Sequence, residues 1–202
     1  MQEVRVVGAQ FLNPQWVAER ADLQGASLFS LPAGRAEARL AELPLVKEAR
    51  VQRLWPQGVR ILVTERQPWG YWQVGKREYV VDQEGVVLEG VGAPWDAPTV
   101  VVRDTAVDLE PGDQVDAEVM GLARTLKERL PEVLGEKPLL FEYSRQDGLA
   151  MVTEGGYRLV IGDGRDLEYK LALGQALKRK AQKDGLKVKV MDLRFGDRPS
   201  LR

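Results

Sequence analysis

The sequence has no cysteine and no histidine among its 202 residues. Without cysteine there can be no disulfide, no thiolate nucleophile and no cysteine-ligated zinc site. Without histidine the chain lacks the commonest general base and the commonest metal ligand of proteins. Because these two absences close most familiar hydrolytic mechanisms, the composition argues against an enzyme, and we predict no catalytic residue, no cofactor and no metal site.

Long apolar runs are missing as well, since no stretch approaches the roughly 18–20 residues that a membrane-spanning helix needs. The formal net charge is only -1, which gives no indication of a nucleic-acid partner. Hydrophobic residues nevertheless make up 44% of the chain, enough for one large or two modest folded domains. The composition therefore predicts either a soluble protein or the soluble part of a protein whose membrane anchor is left off.

The first part of the chain reads as a small α+β module with the order β-α-α-β-β. After a short strand, Asn13-Pro14 supplies an N-cap and a proline at the first position of a helix. A second helix is predicted over residues 33–43, and Pro44 ends it. Two strands follow, over residues 46–55 and 59–65, and both helices are expected to lie on one face of the resulting sheet.

The rest of the chain reads as a β-rich domain with two helices on its sheet, so the fold class is α+β. Apolar residues at helical spacing predict helices over residues 114–130 and 167–183. Strands are predicted over residues 79–88 (a hairpin), 99–102, 139–143, 149–153, 157–161 and 187–195. We place the domain boundary at Gln67-Pro68, which predicts domains of residues 1–67 and 68–202. Three tryptophans near this boundary are expected to pack in the core or between the domains: Trp69, Trp72 and Trp95.

Two segments resemble ligand sites in position or composition, one a phosphate loop and the other a calcium site, but their residues do not favour either. Residues 162–166, Gly-Asp-Gly-Arg-Asp, lie between a strand and a helix as phosphate loops do, but they lack the Gly-Lys-Ser/Thr ending and carry two aspartates. The acidic residues between Asp104 and Glu118 lack the spacing of an EF-hand. Because carboxylates at a helix start are favourable without any metal, both patterns are read as features of helix N-termini.

The last predicted strand, residues 187–195, says most about binding. Only seven residues follow it, which leaves room for at most one further short strand. A sheet that ends near the chain terminus leaves N–H and C=O groups unpaired along its edge. Such an edge is either protected against pairing or binds a strand of another protein by strand addition. The residues alone leave both possibilities open.

Four segments resemble, in the correct order, the FtsQ/DivIB family of bacterial cell-division proteins. Residues 43–56 look like that family's version of the POTRA domain, and residues 59–72 are similar to its strand that ends in Glu-Arg-x-Pro. Residues 79–87 match its hairpin of valine-Asp-x-x-Gly type, and residues 191–195 resemble its last strand. The resemblance covers essentially the whole chain and implies a POTRA domain followed by an FtsQ-type β domain.

This resemblance implies a non-enzymatic scaffold of the division machinery. The protein would be a single-pass protein of the inner membrane, anchored by an N-terminal segment absent from this chain, with the present part on the extracytoplasmic side at the septum. Its β domain would bind FtsB/DivIC- and FtsL-like proteins through the C-terminal sheet edge, and its POTRA domain would bind other divisome proteins. Neither nucleic acid nor a small-molecule substrate is expected. The partner-binding residues carried over by position are Phe195, Gly196, Asp197, Arg198, Pro199, Ser200, Leu201 and, for an ion pair with the partner, Arg145.

Two other functions stay open at this point. A POTRA-containing component of outer-membrane protein assembly or secretion would bind unfolded substrate strands as a chaperone. A carboxylate-dependent hydrolase of cell-wall polymers would need a pair of inward-facing acids in a deep cleft, and the sequence shows no convincing pair.

Overall fold

The computed structural model describes residues 3–56, 58–104, 107–195 and 199–201. Within these residues the fold is α+β, as the sequence predicts, and no described helix is both long enough and apolar enough to cross a bilayer. The elements in chain order are β1 (Glu3–Val7), α1 (Pro14–Ala21), α2 (Ala33–Ala41), β2 (Val46–Leu54), β3 (Gly58–Glu65), β4 (Pro68–Val74), β5 (Arg77–Asp82), β6 (Val87–Leu88), β7 (Thr99–Val102), α3 (Ala117–Leu134), β8 (Pro138–Ser144), β9 (Gly148–Thr153), β10 (Arg158–Gly162), α4 (Leu167–Lys183), β11 (Val190–Asp192) and β12 (Ser200–Leu201).

The first five elements form the predicted β-α-α-β-β module. β3 is the central strand of a three-stranded sheet, with β1 parallel to it on one side and β2 antiparallel on the other. Alternate residues of a strand point to opposite faces, and Val59, Ile61 and Val63 of β3 are buried in one core with Val17 of α1 and Leu40 of α2. The two helices therefore cover one face of the sheet and leave the other face open.

The other strands form one nine-stranded sheet, in the order β12-β11-β10-β9-β8-β7-β4-β5-β6. β4 is absent from the strands predicted above, yet it lies inside the sheet because Trp72 is buried in the core there. Trp69 packs against the same core, whereas Trp95 is 98% exposed, so the expectation of packing is wrong for Trp95. α3 and α4 contribute Leu126 and Leu171 to this second core.

Helix ends depart most from the prediction. α1, for which no end is given above, stops at Ala21, before Asp22, which adopts a left-handed conformation with φ of 52°. α3 starts only after Asp116, whose carboxylate caps the first turn, because Gln114 forms a β-bridge with the start of the β6 region. At its other end α3 continues to Leu134, since apolar residues keep their helical spacing that far. α4, by contrast, has the predicted bounds.

Arg66 connects the two sheets. Its backbone N–H donates to the carbonyl oxygen of Leu45 at 2.8 Å, which attaches it to the first module. Its guanidinium donates to the carboxylates of Asp82 and Glu84, both at 2.7 Å, in the turn after β5. Lys47 also reaches Glu84, at 2.5 Å, and hydrogen bonds from Lys47 and Arg66 hold the pKa of Glu84 below its ordinary value. The domain boundary at residues 67–68 stays a prediction.

Replacing Arg66 by methionine should loosen this junction. The side chain of Asp82 is only 6% exposed, so it would be left buried without its cation. We expect a loss of about 2 kcal/mol in unfolding free energy and a larger radius of gyration by small-angle X-ray scattering. Lys47→Met, which breaks only an exposed ion pair, is the control and should cost less than about 0.5 kcal/mol. Equal behaviour of the two variants would contradict the role assigned to Arg66.

Candidate functional site

The C-terminal end of the nine-stranded sheet is built from β11 and β12. β11 pairs in parallel with β10, and β12 pairs antiparallel with β11. β12 therefore covers β11 and is itself the outermost strand of the described sheet. The prediction of one long strand over residues 187–195 is wrong in its extent, because β11 covers only Val190–Asp192, with Lys189 and Leu193 still hydrogen-bonded to β10, and the edge is formed by a second, short strand.

The predicted partner-binding residues that the structure describes lie at this end of the sheet. Phe195 is not on a strand but in the turn after β11, and its side chain is 61% exposed. Pro199 leads directly into β12, and Ser200 and Leu201 form that strand, each half-buried. Three of the predicted residues lie outside the described part of the chain: Gly196, Asp197 and Arg198. A contact of any of these residues with a partner stays a prediction.

The opposite end of the same sheet is closed by the chain itself. The N–H of Val87 in β6 donates to the carbonyl oxygen of Asp113 at 2.8 Å, and the N–H of Gly112 donates to the carbonyl oxygen of Val87 at 2.9 Å. A strand whose backbone groups are already paired offers no room for another strand. Within the residues described, no such backbone hydrogen bonds cover the outer side of β12, the other outermost strand of this sheet.

Arg145 and Phe195 are far apart in the sequence but line one groove of about 740 Å³. The groove lies between the β8–β9 turn, the β10–α4 loop and the turn after β11. The backbone N–H of Arg145 donates to the carboxylate of Asp104 at 2.7 Å, which holds the β8–β9 turn, and the Arg145 side chain is exposed. The structure thus places Arg145, which the resemblance predicts to form an ion pair with the partner, in the same groove as Phe195.

Arg194 ties the edge to this groove. Its guanidinium binds Asp147 at 2.5 Å and Asp192 at 2.7 Å. It also lies 5.5 Å from the centre of the Phe195 ring, a cation–π contact that holds the ring at the groove. The hydrogen bond to Asp192 is the main cause of the raised pKa of Arg194. Sequence reasoning missed Arg194; its alternation with Asp192 in residues 191–195 is the signal that could have indicated the pair.

Carboxylates of the groove are neutralised by cations. Asp163 accepts hydrogen bonds from Arg165 at 2.6 Å and from Lys170 at 3.1 Å. These bonds, the one from Arg165 above all, lower the pKa of Asp163 to about 2. A carboxyl group with so low a pKa carries no proton near neutral pH, so Asp163 does not suit the general-acid role that a carboxylate-dependent hydrolase requires.

Residues 162–166, between β10 and α4, lie where a phosphate loop would lie, but the groups they present do not suit a phosphate. Lys170, almost completely buried, points into this loop and donates to the carbonyl oxygens of Ile161 and Asp163, both at 3.0 Å. A phosphate cradle presents N–H groups to its ligand, whereas this loop presents oxygens to a lysine. In the part of the chain that the structure describes, no group of three or more acidic, cysteine or histidine side chains could hold a metal ion.

Comparison with known proteins agrees with this architecture. Residues 1–66 match the family model "POTRA domain, FtsQ-type", and residues 70–194 match "Cell division protein FtsQ/DivIB, C-terminal". Similar proteins named "Cell division protein FtsQ" occur in Chloroflexus aggregans (34% identity over 96% of this chain), Chloroflexus aurantiacus (33% over 86%) and Streptomyces coelicolor (32% over 81%). The aligned segments span 70%, 64% and 64% of those three proteins. With two consecutive family models over nearly its whole length, the chain belongs to the FtsQ/DivIB family of cell division proteins.

Proposed function

We propose that this chain is the extracytoplasmic part of a non-enzymatic division scaffold at the septum, anchored in the cell membrane by a preceding N-terminal segment. It binds FtsB/DivIC- and FtsL-like proteins through its C-terminal sheet edge, and the first module serves other divisome proteins. The observation that carries this proposal is the asymmetry of the nine-stranded sheet: its chain closes the β6 end, while β12 has no described strand beyond it. The match of residues 70–194 to the FtsQ/DivIB model favours division over outer-membrane assembly.

Strand addition to β12 explains only part of such a contact. β12 has two residues, so an added strand gains few backbone hydrogen bonds from it, and Pro199 beside it has no N–H to donate. Backbone pairing would therefore set the orientation of the partner, while side chains in the neighbouring groove supply specificity. Phe195 offers an exposed aromatic surface, and Arg145 has no ion-pair partner among the described residues. The partner segment should accordingly carry an acidic residue for Arg145.

The test is a titration of the chain with the periplasmic segment of an FtsB/DivIC-like protein, alone and together with an FtsL-like segment. Phe195→Asp should weaken binding about 30-fold, because it places a charge where an aromatic ring is to be buried. Removal of residues 196–202 should have an effect at least as large, because β12 is then lost. Arg145→Glu should weaken binding about tenfold, with a smaller salt dependence than in the wild type.

The matched control is Trp95→Asp, which adds the same charge at an exposed aromatic residue of the same domain. It should bind like the wild type. Circular dichroism of each variant checks that the fold persists. Unchanged affinity of folded Phe195→Asp and of the truncated chain would rule out this edge as the binding site.

A further inference from the structure

Two aromatic rings in mutual contact are exposed at one end of the first module. Phe29 is 85% exposed and Trp55 is 64% exposed, and their ring centres lie 5.4 Å apart in an edge-to-face arrangement. Phe29 belongs to the loop between α1 and α2, and Trp55 to the turn between β2 and β3. Because large apolar rings gain free energy when they leave water, a contiguous exposed pair indicates an interaction surface.

Strand directions place this pair at the end of the module that faces away from the second domain. β3 runs from Gly58 beside the turn toward the junction at Arg66, so the β2–β3 turn is at the opposite end. β1 is parallel to β3, and Glu3 lies opposite Gly58. Glu3 therefore lies at the same end of the module as the two rings, an end that we call the tip: Glu3, residues 22–32, Trp55, Pro56 and Gly58.

Some arginines near the tip have an ion-pair partner among the described residues and others have none. Glu3 and Asp22 are paired with Arg5 and Arg39. In contrast, three arginines close to the tip form no ion pair with a described residue: Arg35, Arg53 and Arg60. Aromatic rings at the level of the headgroups, next to arginines that can reach lipid phosphates, are the arrangement found at membrane interfaces.

We propose that the tip rests on the surface of the membrane, with Phe29 and Trp55 among the lipid headgroups. This inference deepens the proposed function and rests on it, since it takes the membrane anchor to precede Glu3. A bilayer fits the tip better than a protein does for a geometric reason. A membrane from which the chain emerges beside Glu3 lies directly against both loops, and its anionic lipids supply the charge that the three arginines lack.

Trp55 itself reports such a contact. Because the chain contains no histidine, an N-terminal hexahistidine tag tethers it in one orientation to vesicles with a nickel-chelating lipid. The vesicles consist of phosphatidylcholine and phosphatidylglycerol, with or without bromine on the acyl chains near the headgroups, which quenches tryptophan at close range. We expect brominated vesicles to quench part of the fluorescence. That part should be absent in Trp55→Phe and retained in Trp95→Phe, the control for an exposed tryptophan elsewhere.

A second measurement does not depend on the tether. Partitioning of the untagged chain onto phosphatidylglycerol-containing vesicles should fall about tenfold for each ring replaced by serine, in Phe29→Ser and in Trp55→Ser. If Trp55→Phe leaves the quenching unchanged, or if Trp95→Phe removes it equally, the tip does not meet lipid and the inference is wrong. The same holds if the serine variants partition like the wild type.

The two proposals fail separately in these experiments. The tip variants should bind the FtsB/DivIC-like segment with wild-type affinity, because that segment is proposed to bind at the C-terminal sheet edge and not at the tip. If the tip variants leave lipid binding unchanged while Phe195→Asp weakens partner binding, only the proposed membrane contact is contradicted. If instead the tip variants lose lipid binding while Phe195→Asp leaves partner affinity unchanged, the proposed partner site is contradicted.

Discussion

Replacing Gly148 by alanine is expected to destabilise the second domain by about 3 kcal/mol. Gly148 has a φ of 70°, a region that disfavours any side chain, and a β-carbon there would lie 2.5 Å from the carbonyl carbon and oxygen of Gly162. Those are backbone atoms of β10, so they cannot move aside without breaking the pairing of β9 with β10. Urea denaturation followed by circular dichroism should therefore show a clearly lower midpoint.

Gly156→Ala separates the two causes of this loss. Gly156 also has a positive φ, 78°, but a β-carbon there would meet nothing within 4 Å. It should cost only the backbone term, about 1 kcal/mol. Similar losses of unfolding free energy in the two variants would show that the close approach of Gly148 to Gly162 does not contribute to the destabilisation. Since Gly148 and Gly162 both line the groove, Gly148→Ala should also weaken partner binding at a urea concentration where it is still folded.

Replacing Glu65 by alanine should destabilise the first module by about 4 kcal/mol. One oxygen of this nearly buried carboxylate accepts hydrogen bonds from the backbone N–H groups of Gln10 and Phe11, at 3.0 and 2.7 Å, and the other accepts from Leu12 at 2.9 Å. Truncation leaves three backbone donors without a partner in the connection between β1 and α1. The measurement is the unfolding free energy of the first module from urea titration.

Glu48→Ala is the matched control for Glu65. Glu48 lies on β2 of the same sheet, but its side chain is 52% exposed and forms a surface ion pair with Arg50. Its removal should cost less than about 0.5 kcal/mol. If Glu65→Ala were equally mild, the three hydrogen bonds would not be what holds the β1–α1 connection in place.

The parts of the fold that the sequence predicts well depend on neighbouring residues. Asn13 caps α1 by accepting from the N–H groups of Gln15 and Trp16, two and three positions away. α4 has its predicted bounds because apolar residues recur along it at the helical period. The Glu-Arg-x-Pro motif of residues 65–68 could also be recognised from consecutive residues, but the contacts of Glu65 and Arg66 could not be predicted from them. Glu65 accepts hydrogen bonds from the N–H groups of residues 10–12, and Arg66 donates to Asp82 and Glu84, all of which are distant in the chain.

The candidate site was only partly predictable for the same reason. Phe195 and Leu201 could be placed near an edge, since both lie close to the last strand. That Arg145 joins Phe195 in one groove depends on β9 lying beside β10, its neighbour in the chain, and on β10 lying beside β11, which follows only after the α4 crossover. Arg194 gains its importance only there, where Asp147 from another turn comes within reach.

What the amino-acid sequence determined by itself was the order of the helices and of most strands, β4 excepted, together with the presence of two apolar cores and the lack of thiol and imidazole chemistry. Each of these depends on residue identity or on spacing over a few positions, where backbone hydrogen bonding and side-chain periodicity operate. Only the tertiary structure decided which sheet margin is closed, which is open, and which charges meet in the groove. Those outcomes depend on strand pairings between distant segments, and such pairings form only when whole faces are buried together.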